Sequence, residues 1–201
     1  MAALLAIDGA AQSAPDPWLI LADGTAGTIN SKTTRADLVR SFGAANVMDR
    51  DVDIGEGETE PGTVVFSKEP ERSIDILWKD PATKRAPSSL TIRGQASQWK
   101  AAHDISLGTS LKDLERLNGK PFHLAGFSWD YSGTVMSWDG GTLERDLEGK
   151  GRVIVRLDSP TSPEVTEKEM SEVMGDRDFS SHHPVMQKIN PRIYEMVWVF
   201  P

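Results

Sequence analysis

The chain contains no cysteine. That absence excludes disulfides, thiolate metal ligands, a cysteine nucleophile and a lipidated cysteine within this sequence, and it leaves the compartment open. Long apolar runs are missing too: nothing approaches the roughly 20 consecutive apolar residues that a membrane-spanning helix needs. Basic residues are outnumbered, with 22 Lys and Arg against 30 Asp and Glu and a formal net charge of −8. No local cluster of Lys and Arg offsets this. This argues against nucleic acid and anionic membrane, both held by neutralising phosphates, as principal partners. The start of the chain lacks a basic residue, and Asp8 interrupts its apolar run, so residues 1–14 do not make a whole signal peptide. The small residues of Ala11-Gln12-Ser13-Ala14 nevertheless resemble a cleavage region. A periplasmic or secreted protein is expected from them, with a cytoplasmic one as the alternative.

What is present is a globular composition, 38% hydrophobic and 26% charged over 201 residues, enough to bury a core. Within it a pattern recurs. Thr34, Asp37, Leu38, Arg40 and Gly43 return at one constant offset as Ser110, Asp113, Leu114, Arg116 and Gly119. Thr34 and Ser110 are N-cap residues, with an acid three positions on as in a capping box. Gly43 and Gly119 stand where a helix would end in a left-handed residue. Leu38 and Phe42 share one face, as do Leu111, Leu114 and Leu117. Helices this short do not persist alone, so their apolar faces must dock on other structure.

That structure is expected to be a sheet. Ile74, Ile76 and Trp78 alternate with Ser73 and Asp75, and Leu90 and Ile92 alternate within residues 89–93, both the period of half-buried strands. Residues 18–22, 62–66, 122–127, 133–136 and 152–157 read as further strands, and Asp139-Gly140-Gly141 as a hairpin turn. Trp99 is expected to pin the crossing between the two copies against the sheet. After a break at residues 159–163, residues 166–174 read as a third, acidic helix. Residues 192–200 form a terminal strand apolar on both faces except at Glu195, a pattern that belongs inside a sheet. The fold class is thus α+β: an antiparallel sheet with short helices packed on one face. Two tandem helix–strand–meander repeats span residues 31–94 and 95–158. An N-terminal segment and first strand (residues 1–30) precede them, and a helix and strand (residues 159–201) complete the fold.

Three constellations could carry chemistry. Asp49, Asp51, Asp53 and Glu60 occupy positions 1, 3, 5 and 12 of a twelve-residue window, the carboxylate spacing of a calcium loop. Position 6, however, is Ile54 where the turn needs glycine, so calcium competes with a plain edge strand carrying its charges outward. His182-His183 are adjacent and on an extended chain point apart, which disfavours joint ligation of one metal. With Glu172, Asp176 and Asp178 nearby they leave a general base or weak metal site open against a polar loop before Pro184. The third is Gly126-Phe127-Ser128-Trp129-Asp130-Tyr131-Ser132-Gly133, an aromatic turn between two strands, with Trp78 and Trp138 on strands nearby. Exposed aromatics are the anchors of binding surfaces, whereas most tryptophans in a small domain fill its core. Asp130 has no second acid, Ser–His pair or phosphate-cradling loop beside it.

The capped units, residues 34–43 and 110–119, resemble the helix-then-strands unit of β-lactamase-inhibitor-protein-like and SmpA/OmlA-like bacterial envelope domains. The resemblance covers residues 33–138 and stops short of the aromatic turn's composition and of the tail. It implies two units side by side in one curved sheet, and a non-catalytic module that binds a protein or another envelope component on the sheet face. The expected function is therefore a binding module without a cofactor, using Trp129, Asp130, Tyr131, Trp78 and Trp138. Its alternatives are a metal-dependent protein or enzyme working through the acidic loop or Asp130 and His182, and a structural or assembly protein.

Overall fold

The computed structural model describes residues 16–94, 96–158 and 164–201. The leader-like stretch at residues 1–14 and the break at 159–163 lie outside the described residues. A small sheet of β1 (Ile20–Leu21), β2 (Thr25–Ala26) and β3 (Ile29–Asn30) opens the chain and leads to helix α1 (Arg35–Phe42). A meander follows: β4 (Val47–Gly55), β5 (Glu58–Val65), β6 (Ile74–Asp80) and β7 (Arg85–Arg93). The second half runs α2 (Leu111–Asn118), β8 (His123–Ala125), β9 (Val135–Ser137), α3 (Thr142–Leu147) and β10 (Arg152–Leu157). The tail adds α4 (Glu167–Ser171), β11 (Asp178–Ser180), α5 (Pro184–Ile189) and β12 (Ile193–Val199). The main sheet has the order β10-β12-β7-β6-β5-β4, and β11-β8-β9 form a third, smaller sheet. Every pairing between these strands is antiparallel. The expected α+β architecture with an antiparallel sheet is what the molecule has.

The caps form as their residues dictate. Thr34 Oγ1 accepts from the Asp37 amide at 3.2 Å, and the Asp37 carboxylate accepts from the Thr34 amide at 2.9 Å. Ser110 Oγ accepts from the Asp113 amide, also at 3.2 Å. Gly119 closes α2 at φ +77°, the left-handed conformation glycine reaches without a Cβ penalty. Leu38 of α1 and Leu111, Leu114 and Asn118 of α2 are the buried positions. α1 packs on β4 and β5, whereas α2 packs on α3 and α5.

Directly opposed residues of antiparallel neighbours share a face, so the register reads both faces. One face carries the row Val153–Trp198–Leu90–Ile76–Thr63–Asp49, buried as far as Thr63. Val155, Met196 and Ile92 stand beside it in a parallel row, all fully buried, each such side chain contributing about 1.5–3 kcal/mol. The opposite face carries Arg156–Glu195–Arg93 in one row and Ile154–Val197–Thr91–Asp75–Val64 in the next. β12 lies between β10 and β7, inside the sheet, as its apolar pattern requires.

The two halves diverge after their helices. The first builds the meander β4 to β7. In the second, β8 and β9 leave for the small sheet and only β10 reaches the main one. The divergence begins at residues 139–141, which do not close a hairpin but lead into α3. Asp139 and Gly140 have φ of +54° and +68°, and Gly141 is the helix N-cap. Gly141 is small for a packing reason, since a Cβ there would lie 2.1 Å from Asn118 Oδ1. The expected strand at residues 18–22 is also shorter than its apolar run. Trp18 leaves it to pack edge-on to Trp99 at 5.3 Å, and Trp99 is fully buried.

Candidate functional site

The turn between β8 and β9 is built to present aromatics. Phe127 is fully buried, its amide donating to Val173 O at 3.0 Å while its carbonyl accepts from the Gly175 amide. Beyond this anchor the chain reverses through Ser132 N to Trp129 O at 2.8 Å and Thr134 N to Tyr131 O at 2.9 Å. Gly133 ends the turn at φ +66°, where a Cβ would stand 1.9 Å from Leu157 O. Only glycine lets the turn approach β10 this closely. The result is Trp129 at 58% and Tyr131 at 62% exposure, with Met136 of β9 at 52%. Asp130 is exposed between the two aromatics.

Two aromatics expected at the same surface are elsewhere. Trp78 is 4% and Trp138 2% exposed. Trp78 Nε1 donates to Thr63 Oγ1 at 3.0 Å, and Trp138 packs on Phe122 with ring centroids 5.0 Å apart. Both are core residues and are not part of an exposed aromatic surface. The sheet face expected to carry the aromatics is also different in kind. One face is core, and the other bears the charge ladder Arg156–Glu195–Arg93–Asp75–Arg50.

The carboxylates of the calcium window do not converge. The window folds into the β4–β5 hairpin, in which Asp49, Asp51 and Asp53 oppose Thr63, Pro61 and Thr59, while Glu60 opposes Val52. Asp49 is an anchor for α1: its carboxylate accepts from Arg35 Nε at 2.8 Å and from Thr63 Oγ1 at 2.9 Å, with Lys84 at 3.7 Å. These bonds outweigh its partial burial and hold its pKa below the usual value. Among the described residues no group of three or more His, Asp or Glu side chains is placed to hold a metal ion. The edge-strand reading of residues 51–54 is the one the fold adopts.

His183 is not in a polar loop. It caps α5, with Nδ1 accepting from the Val185 amide at 3.2 Å and Pro184 in the first turn. His182 meets Glu115 of α2, Nδ1 to Oε1, at 3.0 Å. Glu115 also accepts from Ser181 Oγ at 2.6 Å and Gln187 Nε2 at 3.1 Å, beside an open cavity of about 410 Å³ rimmed by Lys112, Arg116 and Lys120.

No family model, curated protein or solved structure matches the chain.

Sequence reasoning missed Glu115, Ser181 and Gln187, and it missed the ladder. Glu195 is only 3% exposed, with Arg156 Nη1 3.0 Å away and Arg93 Nε on its other oxygen. A register shift on β12 sets Tyr194 beside it; burial and the neighbouring Glu195 raise the Tyr194 pKa, with Arg156 opposing. Asp75 sits further along the ladder, its pKa raised by burial against the pull of Arg93 and Arg50. The one sequence signal was Glu195 itself, the single charge in an apolar strand.

Proposed function

We propose that this protein is a non-catalytic binding module of the bacterial envelope or of a secreted protein, and that it holds a protein partner against the turn at residues 126–133. The observation that carries the reading is the joint exposure of Trp129 and Tyr131, at 58% and 62%, while Trp78, Trp99, Trp138 and Trp198 are buried and Trp18 is half-buried. Leaving two large aromatics in water forgoes burial worth about 1.5–3 kcal/mol each. Rigid aromatic anchors with a polar handle are the residues that dominate binding energies at interfaces. The envelope setting rests on the capped-helix resemblance and on the leader-like start. The partner surface is the turn and the β9 rim rather than the sheet face.

The test is affinity capture from an envelope extract on immobilised wild-type protein and on the Trp129→Ala/Tyr131→Ala variant. The expected result is a partner recovered by the wild type and reduced at least about tenfold by the variant, with unchanged circular dichroism. Equal recovery on both would remove the turn from the binding surface.

A second reading draws on His182. A carboxylate on Nδ1 orients an imidazole as in a general base, and the flanking cations would suit an anionic substrate. Its check is turnover of chromogenic carboxylate and phosphate esters by the wild type and His182→Ala. Rates indistinguishable between the two end it.

A further inference from the structure

Buried polar atoms without partners are uncommon in folded proteins, and each calls for a physical reason. Among the described residues four side-chain atoms are of this kind: Thr134 Oγ1, Arg156 Nε, Glu195 Oε1 and Trp198 Nε1. Glu195 Oε1 does have Arg156 Nη1 at 3.0 Å as an ion partner, without the alignment of a hydrogen bond. Three of the four are adjacent. Thr134 bridges to Arg156 and Arg156 opposes Glu195, whereas Trp198 is on the core face of the same strand pair, opposite Val153.

Two of the four residues, Thr134 and Arg156, line a single cavity of about 190 Å³ between the edge of β9 and the edge of β10. The cavity exists because the two strand edges meet only at the Thr134–Arg156 bridge, where Gly133 brings them together, and part from there. Val135, Trp138 and Val153 give it apolar walls, and Tyr131 and Met136 stand at the rim. Arg152 also lines it at an exposed position, and Glu148, whose backbone bridges to Arg152, is on the wall as well. At this size the space suits one amino-acid-sized group, since drug-sized ligands occupy roughly 300 Å³ or more.

The chemistry of the lining selects the ligand. Arg156 Nε and the Arg152 guanidinium can only donate, and the Thr134 hydroxyl is free to donate. Such a set matches an oxygen acceptor carrying charge, and a carboxylate is the planar acceptor that a guanidinium holds with two parallel bonds. The apolar walls require that this carboxylate arrive on an apolar stem. Glu148 opposes the same ligand as a like charge, which makes it the natural counter-test.

We propose that the cavity between β9 and β10 binds a carboxylate carried on an apolar stem, held by Arg152, Arg156 and Thr134. A free small acid and the C-terminus of a peptide ending in an apolar residue share this chemistry. The site stands whether or not the aromatic turn has a protein partner.

The experiment is a titration of the full chain at neutral pH, followed by backbone and arginine side-chain NMR shifts. The probes are phenylacetate, its neutral isostere phenylacetamide, and a tripeptide ending in phenylalanine with a free carboxylate. Phenylacetate is expected to shift Thr134, Met136 and Arg152 saturably, and phenylacetamide to bind at least about tenfold more weakly. Arg152→Gln, an exposed position, lowers phenylacetate affinity by about tenfold or more, and Glu148→Gln raises it. Thr134→Val weakens binding while leaving the melting temperature unchanged or higher, because it removes an unpartnered buried hydroxyl. Phenylacetamide binding as tightly as phenylacetate, Arg152→Gln binding unchanged, or no saturable shift at these residues would each overturn the assignment. A tripeptide at least about tenfold tighter than phenylacetate identifies a chain terminus as the ligand; an equal or weaker one identifies a small acid.

Discussion

Trp129 and Trp138 are nine positions apart on one short segment, yet their surroundings oppose each other: 58% against 2% exposed. Truncation therefore separates their roles. Trp138→Ala is expected to cost about 3–5 kcal/mol by leaving a cavity against Phe122, whereas Trp129→Ala and Tyr131→Ala stay within about 0.5 kcal/mol. Urea denaturation measures both, and a large loss at Trp129 would mean its indole is structural after all. Asn118 is the other residue on which local geometry turns. Its amide donates to Lys120 O at 3.0 Å and Trp138 O at 2.9 Å and accepts from the Leu143 amide at 3.1 Å, joining the end of α2 to the start of α3. Gly141→Ala drives a methyl into that side chain and should destabilise by about 1–3 kcal/mol although φ there is −77°, which alanine tolerates. An unaffected stability curve for Gly141→Ala would show that Asn118 has room to move.

At the scale of elements, the caps and the central strand were legible in the sequence because both are written locally. Thr34→Ala and Ser110→Ala are each expected to cost about 1 kcal/mol, the usual worth of a side-chain N-cap. Chemical denaturation of the two variants checks this, and a loss near zero for either would mean that the adjoining acid caps its helix unaided. β12 was readable for a different reason: a strand apolar on both sides has no stable place at an edge. What the local pattern misread was α3. Asp139-Gly140-Gly141 has turn composition, and turn residues do not say whether the chain reverses into a strand or winds into a helix. The choice was made by the fit of Gly141 against Asn118, a contact between distant positions. Likewise α5 was hidden because His183 and Pro184 read as loop, although a side-chain cap followed by proline also starts a helix.

For the whole molecule the clearest consequence is its response to acid. Asp37, Asp80, Asp113, Asp139 and Asp146 have lowered pKa values, chiefly through side-chain hydrogen bonds from Thr34, Thr83, Ser110, Ser137 and Arg145 respectively. Glu169 falls furthest, from 4.5 to about 2, held first by Lys188 and then by the Thr166 cap. A carboxyl whose folded pKa lies below its unfolded value contributes stability that is complete above the unfolded value and is lost as pH falls through the folded one. Asp75 has the opposite sign: raised by burial, it favours the folded state in acid and loses that contribution as pH rises. The lowered group is the larger, so the melting temperature is expected to fall steadily between about pH 4.5 and pH 2. Asp75→Asn should leave that slope standing. A flat profile across the window would show that the capping carboxylates bind protons equally in both states.

The sequence by itself determined the α+β class, the two capped helices, the interior position of the last strand and the exclusion of thiol chemistry. Each follows from signals within a few residues: caps, alternation, an apolar run, an absent residue type. The tertiary structure decided everything that depends on opposed positions. It made Asp49 an anchor for Arg35 instead of a calcium ligand, sent Trp78 and Trp138 into the core, and brought Glu115 to His182. It also set Thr134 beside Arg156 in the lining of a small cavity. Strand register and chain crossing bring such partners together from far along the chain, and no local pattern records which residue will stand opposite which.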